Sequence, residues 1–99
     1  MSRRRRSARG SPTHGERMVV WFVPGSGRIR CIAGKKIGNA VERNRARRIL
    51  RAAWRLSGLE TDDEHDVMLS ARPRIEGAKA QDLMTEMTEL VERARSAAP

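Results

Sequence analysis

The segment from Asn39 to Leu56 constrains this chain more than any other, because it carries an Asn-x-x-Glu start signal and then runs without proline or glycine. In that pattern the Asn39 side chain accepts from the backbone amide of Glu42 while the Glu42 carboxylate reaches back to the amide of Asn39. A helix is therefore predicted from Ala40 to about Leu56, with Ser57-Gly58 as its stop. At ~100° per residue, Ala46, Ile49, Ala53 and Leu56 gather on one side, and Arg43, Asn44, Arg47, Arg48, Arg51 and Arg55 on the other. One side must be buried and the other cannot be. The fold question becomes what layer the apolar side lies on.

Three short apolar runs supply that layer. Met18 to Val23 is β-branched and aromatic, and Pro24-Gly25-Ser26-Gly27 is a strong turn signal after it. From Arg28 to Ala33 charged and apolar residues alternate, with Arg28 and Arg30 on one face and Ile29 and Cys31 on the other; the two runs together predict a hairpin. An acidic loop, Glu60 to Asp66, leads to a third strand, Val67 to Ala71. After Pro73 and Gly77, the residues Ala80, Leu83, Met84, Met87, Leu90, Val91 and Ala94 recur at helical spacing and predict a second amphipathic helix. The class is α+β, a two-layer sandwich of a small, mainly antiparallel sheet covered by two helices. With 99 residues the chain holds one core,. The expected domain is residues 18–97, and residues 1–17, an arginine run followed by Gly, Ser and Pro, are expected to be mobile because they offer almost nothing to bury.

Charge narrows the function. The formal net charge is +9, divided as +5 over residues 1–17, +9 over 28–55 and −5 over 56–99. Wet helix faces ordinarily mix signs for i, i+4 pairing, whereas the arginine side of the first helix holds no acid. Arg43, Arg47, Arg51 and Arg55 stack at i, i+4, i+8, about 6 Å apart, close to the phosphate spacing of a polynucleotide strand. Arginine pairs phosphate oxygens bidentately and also stacks on bases, which suits RNA. Arg45 falls nearer the apolar side, where it either snorkels at the core edge or meets RNA. Lys35 and Lys36 precede a helix start whose amides already favour anions. Gly34 and Gly38 serve tight turns or allow close backbone approach.

Other classes are poorly served. Cys31 is the single cysteine, so no internal disulfide forms, and neither His14 nor His65 sits in metal-ligand spacing,. The carboxylates Asp62, Asp63, Glu64 and Asp66 are read as solubilising charge rather than a metal site. No apolar run approaches the ~20 residues of a membrane span, and no secretory stretch opens the chain. A cytoplasmic setting, no membrane partner and no small-molecule substrate are expected.

The stretch GKKIGNAVERNRARRILR, Gly34 to Arg51, resembles the RNR motif of the bacterial ribonuclease P protein component nearly letter for letter. Met18 to Val23 resembles that family's preceding strand, and DVMLSARP, Asp66 to Pro73, its following strand and turn. The resemblance implies a sandwich with a left-handed β-α-β crossover around the motif helix. It implies a non-catalytic protein subunit, assisting an RNA that carries the catalytic site in removing the 5′ leader of precursor tRNA. Accordingly no catalytic residue is expected, no cofactor is bound by the protein, and Mg2+ belongs with the RNA subunit. The implied partners are ribonuclease P RNA and precursor tRNA. Residues expected to bind RNA are Lys35, Lys36, Asn39, Arg43, Asn44, Arg45, Arg47, Arg48, Arg51 and Arg55, with Trp21, Arg28 and Arg30 in a leader cleft. One departure stands out: family members carry aromatic residues near the N-terminus, and MSRRRRSARG has none. Trp21 is then the main stacking candidate, with core packing as the competing reading; Trp54 is assigned to cover the core and Phe22 to enter it. The alternative function is a generic RNA-binding or ribosomal-type protein without a ribonuclease P role.

Overall fold

The computed structural model describes residues 11–98; the arginine run expected to be mobile lies outside the described residues. Strands β1 (Thr13–His14), β2 (Met18–Pro24), β3 (Ile29–Ile32) and β4 (His65–Ala71) form one sheet, with helix α1 (Ala40–Leu56) between β3 and β4 and helix α2 (Met84–Ser96) at the end. The strand order is β1-β2-β4-β3. β2 pairs antiparallel with β4 along its whole length, from Met18 opposite Ala71 to Pro24 opposite His65. β3 pairs with β4 in parallel, Ile29 with Val67 through Ile32 with Ser70.

That order corrects the expected hairpin. Pro24-Gly25-Ser26-Gly27 does turn the chain, but β2 and β3 do not meet, because β4 lies between them. The connection instead crosses over the start of β4 and is fastened to it. One Asp66 carboxylate oxygen accepts from the backbone amides of Ser26 (3.0 Å) and Arg28 (2.9 Å), and the Gly25 amide donates to the Glu64 carbonyl at 2.9 Å. Glycine is required here: a Cβ on Gly25 would stand 2.3 Å from Cγ of Asp66, and Gly27 has φ +96° with a Cβ site 2.9 Å from the Asp62 carbonyl oxygen,. Asp66, read from sequence as surface charge, is thus a buried structural acceptor. Asp62 also works locally, accepting from the amides of Glu64 and His65 at 2.8 Å each.

Alternation in β2 buries Met18, Val20 and Phe22 and leaves Val19, Trp21 and Val23 half-buried on the other face,. Val67 and Leu69 of β4 join the buried face. Both helices lie over it: α1 against β3 and β4, α2 against β2 and β1. α2 contributes Met87, Leu90, Val91 and Ala94, preceded by buried Leu83 in a 3-10 turn, Ala80–Leu83, where a continuous helix was expected. Arg95 of α2 covers the Phe22 ring at 5.2 Å and donates to the Glu60 carbonyl at 3.0 Å. The short β1 extends the folded unit upstream of residue 18. It pairs Thr13 with Val20 and His14 with Val19, and the Arg17 amide donates to Glu86 of α2 at 2.9 Å.

The capping box forms in full, with Glu42 N to Asn39 Oδ1 and Asn39 N to Glu42 Oε1 both 2.9 Å. Asn39→Ala should therefore lower unfolding stability by about 1 kcal/mol in a denaturant titration. Gly25→Ala should cost about 1–3 kcal/mol through overpacking against Asp66, and wild-type stability in this variant would mean the loop is not held as described. The amides of Arg28 and Ser26, with Arg30 beside them, hold the Asp66 carboxyl below the usual carboxylate range. Since the folded pKa is the depressed one, this stabilisation is present at neutral pH and is lost as pH falls through the folded value. The stability gap between wild type and Asp66→Ala should accordingly narrow in acid unfolding.

Candidate nucleic-acid interface

The phase of α1 decides which arginines reach solvent. The helix buries Ala46, Leu50, Ala53 and Trp54, while Leu56, expected in the core, is 56% exposed and Val41 is 75% exposed. Leu50 and Val41 point ~180° apart on the helix wheel, so Val41 marks the outward direction, and Arg45, Arg48 and Arg55 fall within about 40° of it. All three are exposed. Arg45 therefore belongs to the open face and not to the core edge. Arg43 moves the other way: it is half-buried, and its guanidinium donates to the Gly38 carbonyl at 3.2 Å.

Arg47 and Arg51 occupy the flank above β3. Arg47 donates to the Asn44 side-chain oxygen, and Arg51 lies near the thiol of Cys31, whose pKa burial pushes up against the nearby positive charge. Together Val41, Asn44, Arg47, Arg48 and Arg51 line a shallow surface depression that contains no carboxylate. Trp54 is buried as core cover.

Before α1, Lys35 and Lys36 are exposed on a 3-10 turn, Lys35–Ile37, and line a depression of about 490 Å3 with Ser70, Arg72 and Pro73. Ser70 and Arg72 are additions to the residues expected from sequence. Arg72 stands before Pro73 and reads there only as part of a turn; the return of β4 to the start of the motif brings it beside the lysines. Asn39 is engaged in the helix cap.

The uncovered face of the sheet holds the remaining candidates. Arg30, Met68 and Trp21 fall in one cross-strand row, since Met68 pairs with both of the others. Trp21 lies on the face opposite the core and half-buried, which decides against core packing. Of the three aromatic residues, Phe22 and Trp54 are buried, so Trp21 alone presents an aromatic surface on this side. Arg30 Nε donates to Asp66 at 3.3 Å, and Arg28 is exposed at the start of the same strand. β3 is an edge strand, so the sheet face and the arginine flank of α1 meet along it. Among the described residues, no group of three His, Cys, Asp or Glu side chains is placed to hold a metal ion, and no helix is long and apolar enough to cross a membrane.

The sequence model of the ribonuclease P family matches residues 4–95. The chain belongs to the ribonuclease P protein family. The ribonuclease P protein component of Nitratiruptor sp. is 34% identical over 89 residues, covering 86% of this chain and 78% of the relative. That of Dehalococcoides mccartyi is 35% identical over 91 residues, covering 89% and 74%. Among solved structures, the ribonuclease P proteins of Thermotoga maritima (TM-score 0.69, 21% identity, 85% of this chain and 83% of that one) and Staphylococcus aureus (0.65, 19%, 89% and 84%) share the fold.

The exposures of the α1 arginines generate a salt test. Log affinity for RNA should fall linearly with log salt, and Arg48→Ala, Arg51→Ala and Arg55→Ala should each reduce the slope by about 0.7–0.9. Arg43→Ala, whose side chain is turned back on Gly38, should change the slope least. Slopes unchanged from wild type in all four variants would make the arginine face a passive wet surface.

Proposed function

We propose that this chain is the protein subunit of ribonuclease P and that it works by holding two RNAs at once. The observation that carries this reading is the carboxylate-free arginine face of α1, on the family's motif helix, set against a second basic surface across β3. In the proposal the α1 face, with Lys35 and Lys36, lies on ribonuclease P RNA through Asn44, Arg45, Arg47, Arg48, Arg51 and Arg55. The uncovered sheet face, with Trp21, Arg28 and Arg30, takes the single-stranded 5′ leader of precursor tRNA. Trp21 offers a ring to one base, and the arginines meet the backbone.

The chemistry then belongs to the RNA, with Mg2+ bound there and no cofactor held by the protein. The protein's contribution is electrostatic and geometric. Fixed guanidinium groups neutralise phosphates that extra metal ions would otherwise screen, so the folded RNA pair forms at lower Mg2+. A leader seated on the sheet also adds binding energy that mature tRNA cannot claim. Such a subunit acts in the cytoplasm, where precursor tRNA is made.

Reconstitution tests this. Added to a bacterial ribonuclease P RNA, the chain should lower the Mg2+ needed for precursor cleavage and should favour precursor over mature tRNA in binding. Trp21→Ala should reduce that preference by about fivefold or more, since stacking contributes about 1–3 kcal/mol per base. Cleavage by the protein without RNA would overturn the subunit role, and similar affinity for unrelated RNAs would favour a generic RNA-binding protein.

A further inference from the structure

Asp66 is the one charged residue buried among the described residues, and its two carboxylate oxygens do different things. Oδ1 accepts the Ser26 and Arg28 amides, fixing the loop that crosses β4. Oδ2 faces a side chain instead, accepting from Arg30 Nε at 3.3 Å, and the Arg30 side chain remains 53% exposed. A guanidinium has five N–H donors in a rigid plane. Anchored through Nε, it keeps its terminal nitrogens for another acceptor while losing the rotamer freedom of a long side chain. The anchored group stands in the cross-strand row of Met68 and Trp21, roughly 10 Å across the sheet from the indole-bearing strand.

We infer that Asp66 is a positioning residue for single-stranded RNA, holding Arg30 so that its outer edge meets a phosphate of the strand whose base lies on Trp21. This rests on the assignment of the sheet face to the leader. The arrangement runs against simple charge: an acid beside a phosphate-binding arginine weakens the local positive potential. A surface working by potential alone is better without it. A surface working by geometry needs it, and the two accounts predict opposite signs for the same substitution.

Asp66→Asn makes the distinction cleanly. The amide retains an oxygen for the Ser26 and Arg28 amides, so the loop stays fastened, but it turns an NH2 toward Arg30 Nε, donor against donor. The measured quantity is the ratio of precursor to mature tRNA affinity in the reconstituted ribonucleoprotein, for wild type, Asp66→Asn, Arg30→Ala and the double variant. Positioning predicts that Asp66→Asn lowers the ratio about two- to fivefold, the scale of a half-exposed ion pair. It also predicts that Arg30→Ala lowers the ratio at least as much and that the double variant matches Arg30→Ala. A ratio that rises or stays level in Asp66→Asn overturns the positioning role, as does a loss that persists undiminished on the Arg30→Ala background. If Arg30→Ala itself leaves the ratio unchanged, the assignment of the sheet face fails, and Asp66 has nothing there to position. Should Asp66→Asn not fold, Arg30→Lys carries the test: it keeps the charge but not the anchored plane, so the ratio should fall as for Asp66→Asn, and a wild-type ratio would decide against positioning.

Discussion

The sheet depends on β4 being inserted between two strands that precede it, and that insertion depends on the loop that steps over its end. β4 pairs with β2 over seven positions and with β3 over four, so it supplies every ladder bond that links β3 to the rest of the sheet. The Gly25–Arg28 loop crosses the start of β4 with its amides turned toward acceptors on that strand's N-terminal side. Asp66 meets two of those amides and Glu64 a third. The buried Asp66 carboxylate in turn needs these donors, because a buried charge left without partners costs more than the same bonds contribute when made,.

Because β3 is reached over this bridge, it becomes an edge strand, and its position sets the neighbourhood of both basic surfaces. α1 lies over β3 and β4, so Arg47 and Arg51 hang at the margin where Cys31 sits beneath them. On the reverse side of the same strand stand Arg28 and Arg30. A single narrow strand thus separates the arginine flank of the helix from the uncovered sheet face. Two polyanions bound to these surfaces would be held within a strand's width of each other, and the intervening positive charge would offset their mutual repulsion.

How legible this was depended on the sequence distance over which each signal operates. The α1 cap needs only Asn39 and Glu42, three residues apart, and it stood plainly in the sequence; so did the alternation that separates Trp21 from Phe22. The phase of α1 is offset because Leu56 is apolar and reads as core, whereas it stands 56% exposed at the end of the helix. That rotation brought Arg45 out and turned Arg43 inward. The hairpin error had a longer range: Pro24-Gly25-Ser26-Gly27 fits a hairpin turn locally, and the strand that intrudes lies some forty residues on. Asp66 was misread for the same reason. Its donors are 36, 38 and 40 residues away, so within its own acidic segment nothing distinguishes it from Asp63.

The distribution of the remaining acids completes the physical picture. α2 covers β2 and β1, the half of the sheet farthest from β3, and carries Glu89 and Glu92 on exposed positions. The acidic Glu60–Glu64 segment closes against its C-terminal end through Arg95. Among the described residues, the exposed carboxylates of α2 and of Glu60–Glu64 contrast with the carboxylate-free arginine face of α1. A polyanion would be drawn to the arginine face and repelled by the exposed carboxylates, so encounters on the acidic side would be disfavoured.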